Sequence, residues 1–220
     1  MLRINKAQLV ICVGLIVGLL RFGSGPAAAD VSIGGQVKAG GGPLASSTVT
    51  LWAASEGDPK QLAQTKSGSD GQFELRTADT PGKDVVLYVI AKGGIAAVKK
   101  GSGDNPAIAL LTVLGNTPPA KIVINELTTV ASTFTSARFI KGEGISGNPL
   151  GLRIAAGNAP NLVDPETGKW GKVLLDPLNS SMTTTLAKLD TLGSLITYAT
   201  VAAMTTGARA SSRPLLRPAV

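Results

Sequence analysis

Short runs of alternating apolar and polar residues fill positions 31–125. In VSIGGQVK (31–38) the apolar side chains fall on every second position, and in QFELRT (72–77) Phe73 and Leu75 do the same. A period of two is typical of a strand with one buried face. The run DVVLYVIA (84–91) is almost wholly apolar, which indicates a strand covered on both faces. Strands are predicted in this way at 31–38, 48–53, 62–66, 72–77, 84–91, 107–114 and 120–125.

Turn-forming residues separate these runs, as in GGGP (40–43), SGSDGQ (67–72) and GNTPP (115–119). Glycine supplies positive φ, proline fixes φ, and Asp or Asn side chains bond to their own backbone. Short strands joined by such turns predict an antiparallel β-sandwich over residues 30–125.

Four short motifs in this region carry a resemblance to a known family. They are Gly35-Gln36-Val37, Gly42-Pro43-Leu44, the alternating pair Val49 and Leu51, and Asp70-Gly71-Gln72-Phe73. Over about residues 31–91 the chain resembles the carboxypeptidase regulatory-like domain, a prealbumin-like sandwich with a carbohydrate-binding-like fold. The resemblance implies an accessory module on an exported or surface protein, and some relatives bind carbohydrate. Its motif residues are structural, so it implies no catalytic residue.

A helical period replaces the period of two after residue 125. In ELTTVASTFTSARFI (126–140), apolar residues share one face of a helix. Asn148 and Pro149 can begin a second helix, which is expected to end at Gly157 because Pro160 opposes its continuation. A third helix is predicted over 183–204, so the helical region covers 126–206.

A second resemblance concerns this helical region. NELTTVASTF (125–134) and GLRIAAGNAPNLVDPETG (151–168) are similar to a segment of bacterial exported proteins of unassigned activity, over about residues 125–192. The resemblance implies export and no particular chemistry. Such relatives tend to continue into a Cys-containing stretch, whereas this chain ends in GARASSRPLLRPAV. Residues 207–220 are therefore expected to form a disordered basic tail.

Residues 1–29 have the pattern of a signal peptide. Arg3 and Lys6 precede an apolar stretch of 14 residues at 7–20, and Ala27 and Ala29 supply the small residues that signal peptidase requires before its cleavage point. An uncleaved anchor is the alternative, but a membrane span needs about 20 apolar residues. The sequence thus predicts an exported protein, located in the periplasm, on the cell surface or outside the cell.

Charge and composition exclude several classes of function. The chain has no His and one Cys, so a Ser-His-Asp triad, a His-ligated zinc site and an internal disulfide are impossible. The net charge of +7 is concentrated at the ends, because residues 30–208 hold 15 basic and 14 acidic residues. A nearly neutral folded region lacks the excess of basic residues that is typical of a nucleic-acid-binding surface. We expect no nucleic-acid partner, no cofactor and no metal.

Acidic residues offer the remaining route to catalysis. A hydrolase would need two converging carboxylates, and Asp164, Glu166 and Asp176 are the candidates. Their position beside Gly or Pro favours turn-forming roles instead. The sequence therefore predicts no catalytic residue, and a carboxylate-dependent hydrolase is the least favoured alternative.

Two tryptophans are the candidate ligand contacts. Trp52 lies on the strand face opposite Val49 and Leu51, where it would be exposed unless the helical region covers that face. Trp170 lies in the polar segment ETGKWGK, which indicates a loop. These features predict a non-enzymatic accessory or interaction module whose partner is an envelope protein or a glycan. The alternative is a carbohydrate-binding module that uses an exposed tryptophan.

Residues 191–208 carry no charge. Their many Thr residues favour a packed amphipathic helix over a membrane span. We therefore expect no stable span once the signal is cleaved.

Overall fold

The computed structural model describes residues 31–79, 82–96 and 104–211, with side chains described as far as residue 201. The signal-peptide prediction, including Ala27 and Ala29, and residues 212–220 of the predicted tail lie outside this part of the chain. Within it, the protein is mainly antiparallel β-structure followed by a helical region, so the predicted fold class is confirmed.

Nine strands precede the first helix in the described residues. They are β1 (Val31–Ala39), β2 (Gly42–Ala45), β3 (Thr48–Ala54), β4 (Lys60–Lys66), β5 (Gln72–Thr77), β6 (Val86–Lys92), β7 (Ile95–Ala96), β8 (Ala109–Gly115) and β9 (Lys121–Ile124). The predicted strands are all present, and the short strands β2 and β7 are additional.

The strands form two sheets. The first has the order β5-β1-β2-β7, with β9 also paired to β1, and the second has the order β4-β3-β6-β8. The pairing of β1 with β9 is parallel, whereas the other pairings are antiparallel. The sandwich is thus mainly antiparallel, as predicted, and β1 with β9 is the parallel pair among the described strands, because the chain crosses between the two sheets after β8.

The hydrophobic core lies between the two sheets. Its members come from alternate positions of the facing strands and include Ile33, Val37, Leu51, Leu75, Leu87 and Val89. Each large apolar side chain that is fully buried in this way contributes about 1.5–3 kcal/mol. The period of two in the sequence is therefore the pattern of this core.

The remaining elements follow β9 along the chain. They are α1 (Glu126–Ser136), β10 (Ile140–Lys141), β11 (Gly144–Ile145), α2 (Pro149–Leu162), β12 (Val163–Asp164), β13 (Lys169–Trp170), α3 (Lys172–Leu175), α4 (Pro177–Met182) and α5 (Thr185–Ser211). The strands β10 and β11 form one antiparallel hairpin, and β12 and β13 form another.

Helix α2 does not end where it was expected to end. It starts as predicted, with the Asn148 side chain accepting hydrogen bonds from the backbone of Leu150 and Gly151, but it continues through Gly157 and Pro160 to Leu162. Pro160 lies in the last turn, so the hydrogen bond that it removes and the kink that its ring imposes affect only the end of the helix. Burial of Ala156 and Ala159 on the packed face offsets that loss.

Helix α1 attaches the helical region to the sandwich. Its Asn125 cap is a full capping box with Thr128. Strand β8 is the edge of the second sheet, and the backbone N–H groups of Leu111 and Val113 donate to the hydroxyls of Thr129 (3.0 Å) and Ser132 (2.9 Å). The helix therefore satisfies the free edge of the sheet, which otherwise invites strand pairing with another chain.

Helix α5 extends to Ser211, past the boundary predicted at 206. Across the described residues, we find no helix with both the length and the apolar character needed to cross a membrane.

Candidate functional site

The outer face of the second sheet is divided into a covered end and an open end. At the covered end, Ala54, Val86, Tyr88 and Val113 pack against Ile145, Leu152 and Ala156 of the helical region. At the open end, Thr48 and Thr50 of β3 face outward together with Ile90 and Lys92 of β6. Trp52 lies at the boundary between the two ends and is half-buried.

A cavity of about 360 Å³ opens beside Trp52. We call it the Trp52 groove. The sheet provides its floor, Pro59 and β4 provide one side, and the β10–β11 hairpin provides the other. Its lining residues are Thr48, Thr50, Trp52, Pro59, Gln61, Gln64, Tyr88, Ile90, Lys92, Lys141, Glu143 and Gly144.

Tyr88 holds the indole of Trp52 in place. The two residues are cross-strand partners, and their rings are stacked with centroids 6.5 Å apart and an interplanar angle of 13°. Tyr88 is fully buried, and its hydroxyl accepts a hydrogen bond of 3.2 Å from the backbone N–H of Ile145. Burial raises the pKa of Tyr88, and this hydrogen bond opposes the rise. Trp52 is thus an aromatic surface whose ring lies against a fully buried neighbour.

A β-bulge brings two glutamines into the groove. The pairing of β3 with β4 shifts register between Leu51 and Trp52, which face Ala63 and Gln61, so Leu62 is left without a partner across the pair. In a regular strand, residues three apart point to opposite faces. The bulge reverses this alternation, so both Gln61 and Gln64 line the groove, and the Gln61 amide donates to that of Gln64 at 3.3 Å.

The β10–β11 hairpin forms the second side of the groove. Gly142 in its turn has a φ of +59°, a conformation that suits glycine. Glu143 makes an ion pair with Lys92 of β6, and Ile140 and Ile145 anchor the hairpin on the sheet. This hairpin was not predicted, although the segment KGEG at 141–144 carries a turn signal that could have indicated it.

A second cavity of about 310 Å³ lies on the other side of the hairpin. It shares Ile90, Lys92, Glu143 and Gly144 with the Trp52 groove, and its other walls are mostly apolar, including Leu111 and Ile140.

Trp170 has a different environment from the one expected. It belongs to β13 and is half-buried against a cluster of Val130, Leu174 and Leu189. Its indole N–H donates to the Oδ1 atom of Asp190 at 3.4 Å. The structure therefore places Trp170 among the helices, in a cluster separate from that of Trp52.

The candidate acidic residues have structural roles. The Asp164 carboxylate accepts a hydrogen bond of 2.9 Å from the backbone N–H of Glu166 in the β12–β13 turn. The Asp176 carboxylate caps α4 by accepting from Leu178, also at 2.9 Å. These contacts confirm the turn-forming prediction for both residues. In the portion of the chain that the structure describes, no three Asp, Glu, His or Cys residues are grouped so that they could hold a metal ion.

The groove offers an aromatic surface, amide and hydroxyl groups, and a charged rim. This set of groups can bind a polar ligand that also has an apolar face, because the ring packs on one side and hydrogen bonds orient the other.

Comparisons with known proteins add little. No family model matches the chain, and no curated protein matches it. Among solved structures, a 9R-lipoxygenase from Cyanothece is similar over 46% of this chain and 17% of its own length, with 14% identity and a TM-score of 0.27. The present chain thus spans less than a fifth of that lipoxygenase, and a likeness at this level carries no argument. The resemblance to the carboxypeptidase regulatory-like family stays a prediction.

Proposed function

We propose that the protein is an exported, non-enzymatic module that binds a saccharide in the Trp52 groove. The observation that carries the proposal is the half-buried Trp52, held by Tyr88 at the edge of a cavity that is lined by amide and hydroxyl groups. Export rests on the signal-like residues 1–29.

The chemistry of a sugar ring matches this cavity. One face of a pyranose presents C–H groups, which pack against an indole, while its hydroxyls both donate and accept hydrogen bonds. The side-chain amides of Gln61 and Gln64 and the hydroxyl of Thr48 can do the same in return. A volume of about 360 Å³ also lies in the range of small-molecule sites.

A glycan array followed by calorimetric titration tests the proposal. Trp52→Ala should weaken saccharide binding by about tenfold or more, because it removes the aromatic anchor of the site. Trp52→Phe should retain part of the affinity. Trp170→Phe is the matched control and should leave the affinity unchanged, since Trp170 packs among the helices. Binding that survives Trp52→Ala at full strength would contradict the proposal.

A protein partner in the envelope is the second candidate, and exposed apolar residues favour it. Leu178 and Met182 of α4 are 77% and 79% exposed, and Tyr198 of α5 is 75% exposed. Leu195, which is 59% exposed, is the neighbour of Tyr198 three positions earlier on α5, and contiguous exposed apolar patches commonly mark interaction surfaces. A photo-crosslinker at position 198 should then capture one defined envelope protein in cells, while the same group at Lys121 should not. Equal capture at both positions would reject this candidate.

A further inference from the structure

The charges on the rim of the Trp52 groove do not balance. Lys92, Lys141 and Glu143 are the charged lining residues. Glu143 is the single carboxylate among them, and its ion pair with Lys92 neutralises it. Within the described residues, Lys141 makes no ion pair. Among its charged lining residues, the groove therefore has one more positive than negative charge, and that charge has no ion-pair partner in the described chain.

The position of Lys141 is fixed by its hairpin. Its backbone pairs with Gly144, and the next residue pair, Ile140 with Ile145, packs on the sheet. Beyond the hairpin, the backbone N–H of Gly147 donates to the carbonyl of Ser55 at 3.1 Å. The exposed side chain of Lys141 therefore extends from a backbone position that these contacts hold beside the groove.

We infer that the ligand is an anionic saccharide whose carboxylate binds at Lys141 while its ring packs on Trp52. This inference rests on the proposed function, since it assigns a charge class to the ligand of the same groove. A lysine ammonium attracts a carboxylate as a point charge. The Lys92–Glu143 pair favours the same ligand, because a free Glu143 carboxylate would repel an anion.

Matched pairs of sugars separate the contribution of charge from that of shape. Oligosaccharides of glucuronate, galacturonate and mannuronate would be titrated beside their methyl esters, which have the same ring and no charge. We expect the acid of at least one pair to bind about fivefold to tenfold tighter than its ester at low ionic strength. That preference should shrink as salt is added.

Three variants complete the test. Lys141→Gln should remove the preference for the acid, so that the acid and the ester of each pair bind with similar affinity. Lys121→Gln is the matched control, because Lys121 is an exposed lysine of the first sheet that does not line the groove, and it should keep the preference. Glu143→Gln should strengthen acid binding, since it releases Lys92 and removes the negative charge.

The outcomes distinguish this inference from the proposed function. Equal binding of acid and ester, or the same loss in Lys141→Gln and Lys121→Gln, would overturn the anionic ligand and leave saccharide binding intact. Failure of all acids and all esters to bind would overturn both.

Discussion

At the scale of single residues, Tyr88 connects the core to the candidate site. It stacks beside Trp52 on the same face of the sheet and accepts the N–H of Ile145 from the hairpin that forms one wall of the groove. The Trp52 ring on the floor and the hairpin side of the groove thus both depend on one buried phenol. A buried tyrosine that satisfies a backbone donor is costly to replace, because the donor is then left without a partner.

Tyr88→Phe should therefore destabilise the protein by about 1–3 kcal/mol at neutral pH. The wild type should also lose stability in alkali. Burial raises the folded pKa of Tyr88 above the ordinary value of 10.0, so the folded state holds the proton more tightly than the unfolded state. The stabilising contribution is complete below pH 10 or so and disappears as the pH rises through the folded pKa.

Urea unfolding between pH 7 and pH 11 measures both effects, and the phenylalanine variant serves as the control because it cannot titrate. A wild-type alkaline loss no larger than that of Tyr88→Phe would contradict this role.

Of the residues that line the groove, Trp52 was predicted from the sequence as a ligand contact, whereas Gln61, Gln64 and Lys141 were not. Trp52 was found because the alternation of β3 places it opposite Val49 and Leu51. Gln61 and Gln64 were missed because their spacing of three assigns them to opposite faces in a regular strand, and nothing in the sequence marks the bulge. Lys141 was missed because it lies between the helix predicted over 126–140 and the one predicted to begin at Asn148, in a segment for which no structure was predicted.

At the scale of elements, close approach of strands depends on Gly35. A Cβ atom at this position would lie 2.3 Å from the carbonyl oxygen of Ile122 and 2.8 Å from the ring of Phe73. Gly35→Ala should destabilise the fold by about 1–3 kcal/mol, because both β9 and the Phe73 ring must move.

Gly34→Ala is the matched control for this change. A Cβ atom there would have its nearest neighbour at 3.8 Å, an ordinary contact. Thermal unfolding of the two variants should separate them clearly, and equal melting temperatures would show that the parallel strand β9 is not tightly held.

The hydroxyls of α1 are the second feature at this scale. Ser132 is buried and accepts the backbone N–H of Val113, so Ser132→Ala leaves that edge donor unpaired. We expect a loss of about 1–3 kcal/mol in the free energy of unfolding. Thr135→Ala should cost less, because the Thr135 hydroxyl bonds only to carbonyls of its own helix. The idea fails if denaturant titrations give the two variants the same stability.

The spacing of apolar residues predicted whether each main element is a strand or a helix, but it did not predict the contacts between elements. The sequence placed α1 by its apolar stripe, which predicts a packed face. It did not indicate that Thr129 and Ser132 would accept hydrogen bonds from the edge strand of a sheet, because hydroxyl side chains in a helix are usually expected to face solvent. Helix α2 likewise continues past Pro160, because burial of its alanines stabilises the helix at that point. Burial is a property of the tertiary structure, which the sequence pattern did not show.

At the scale of the whole molecule, the groove belongs to neither predicted region alone. The sandwich provides Trp52, the floor and the glutamine side, whereas the hairpin between α1 and α2 provides Lys141 and Glu143. The helical region also covers Tyr88 and Val113 on the outer face of the second sheet. A boundary drawn at residue 125 therefore passes through the candidate site.

This arrangement predicts the behaviour of a chain that ends at residue 125. Its β8 edge would expose the N–H groups of Leu111 and Val113, and its outer face would expose Val86 and Tyr88. Such an edge promotes strand pairing between molecules. We therefore expect the shortened chain to aggregate or to form oligomers in size-exclusion chromatography and to lose saccharide binding.

A chain that ends at residue 170 is the matched comparison for the chain that ends at residue 125. It retains α1, the β10–β11 hairpin and α2 but omits α3, α4 and α5. It should keep the covered edge, the packed outer face and the groove, and so bind with nearly full affinity. If the chain ending at 125 stayed monomeric and bound as tightly as the full chain, the hairpin would have no part in the site, and the ligand would be recognised by the sheet alone.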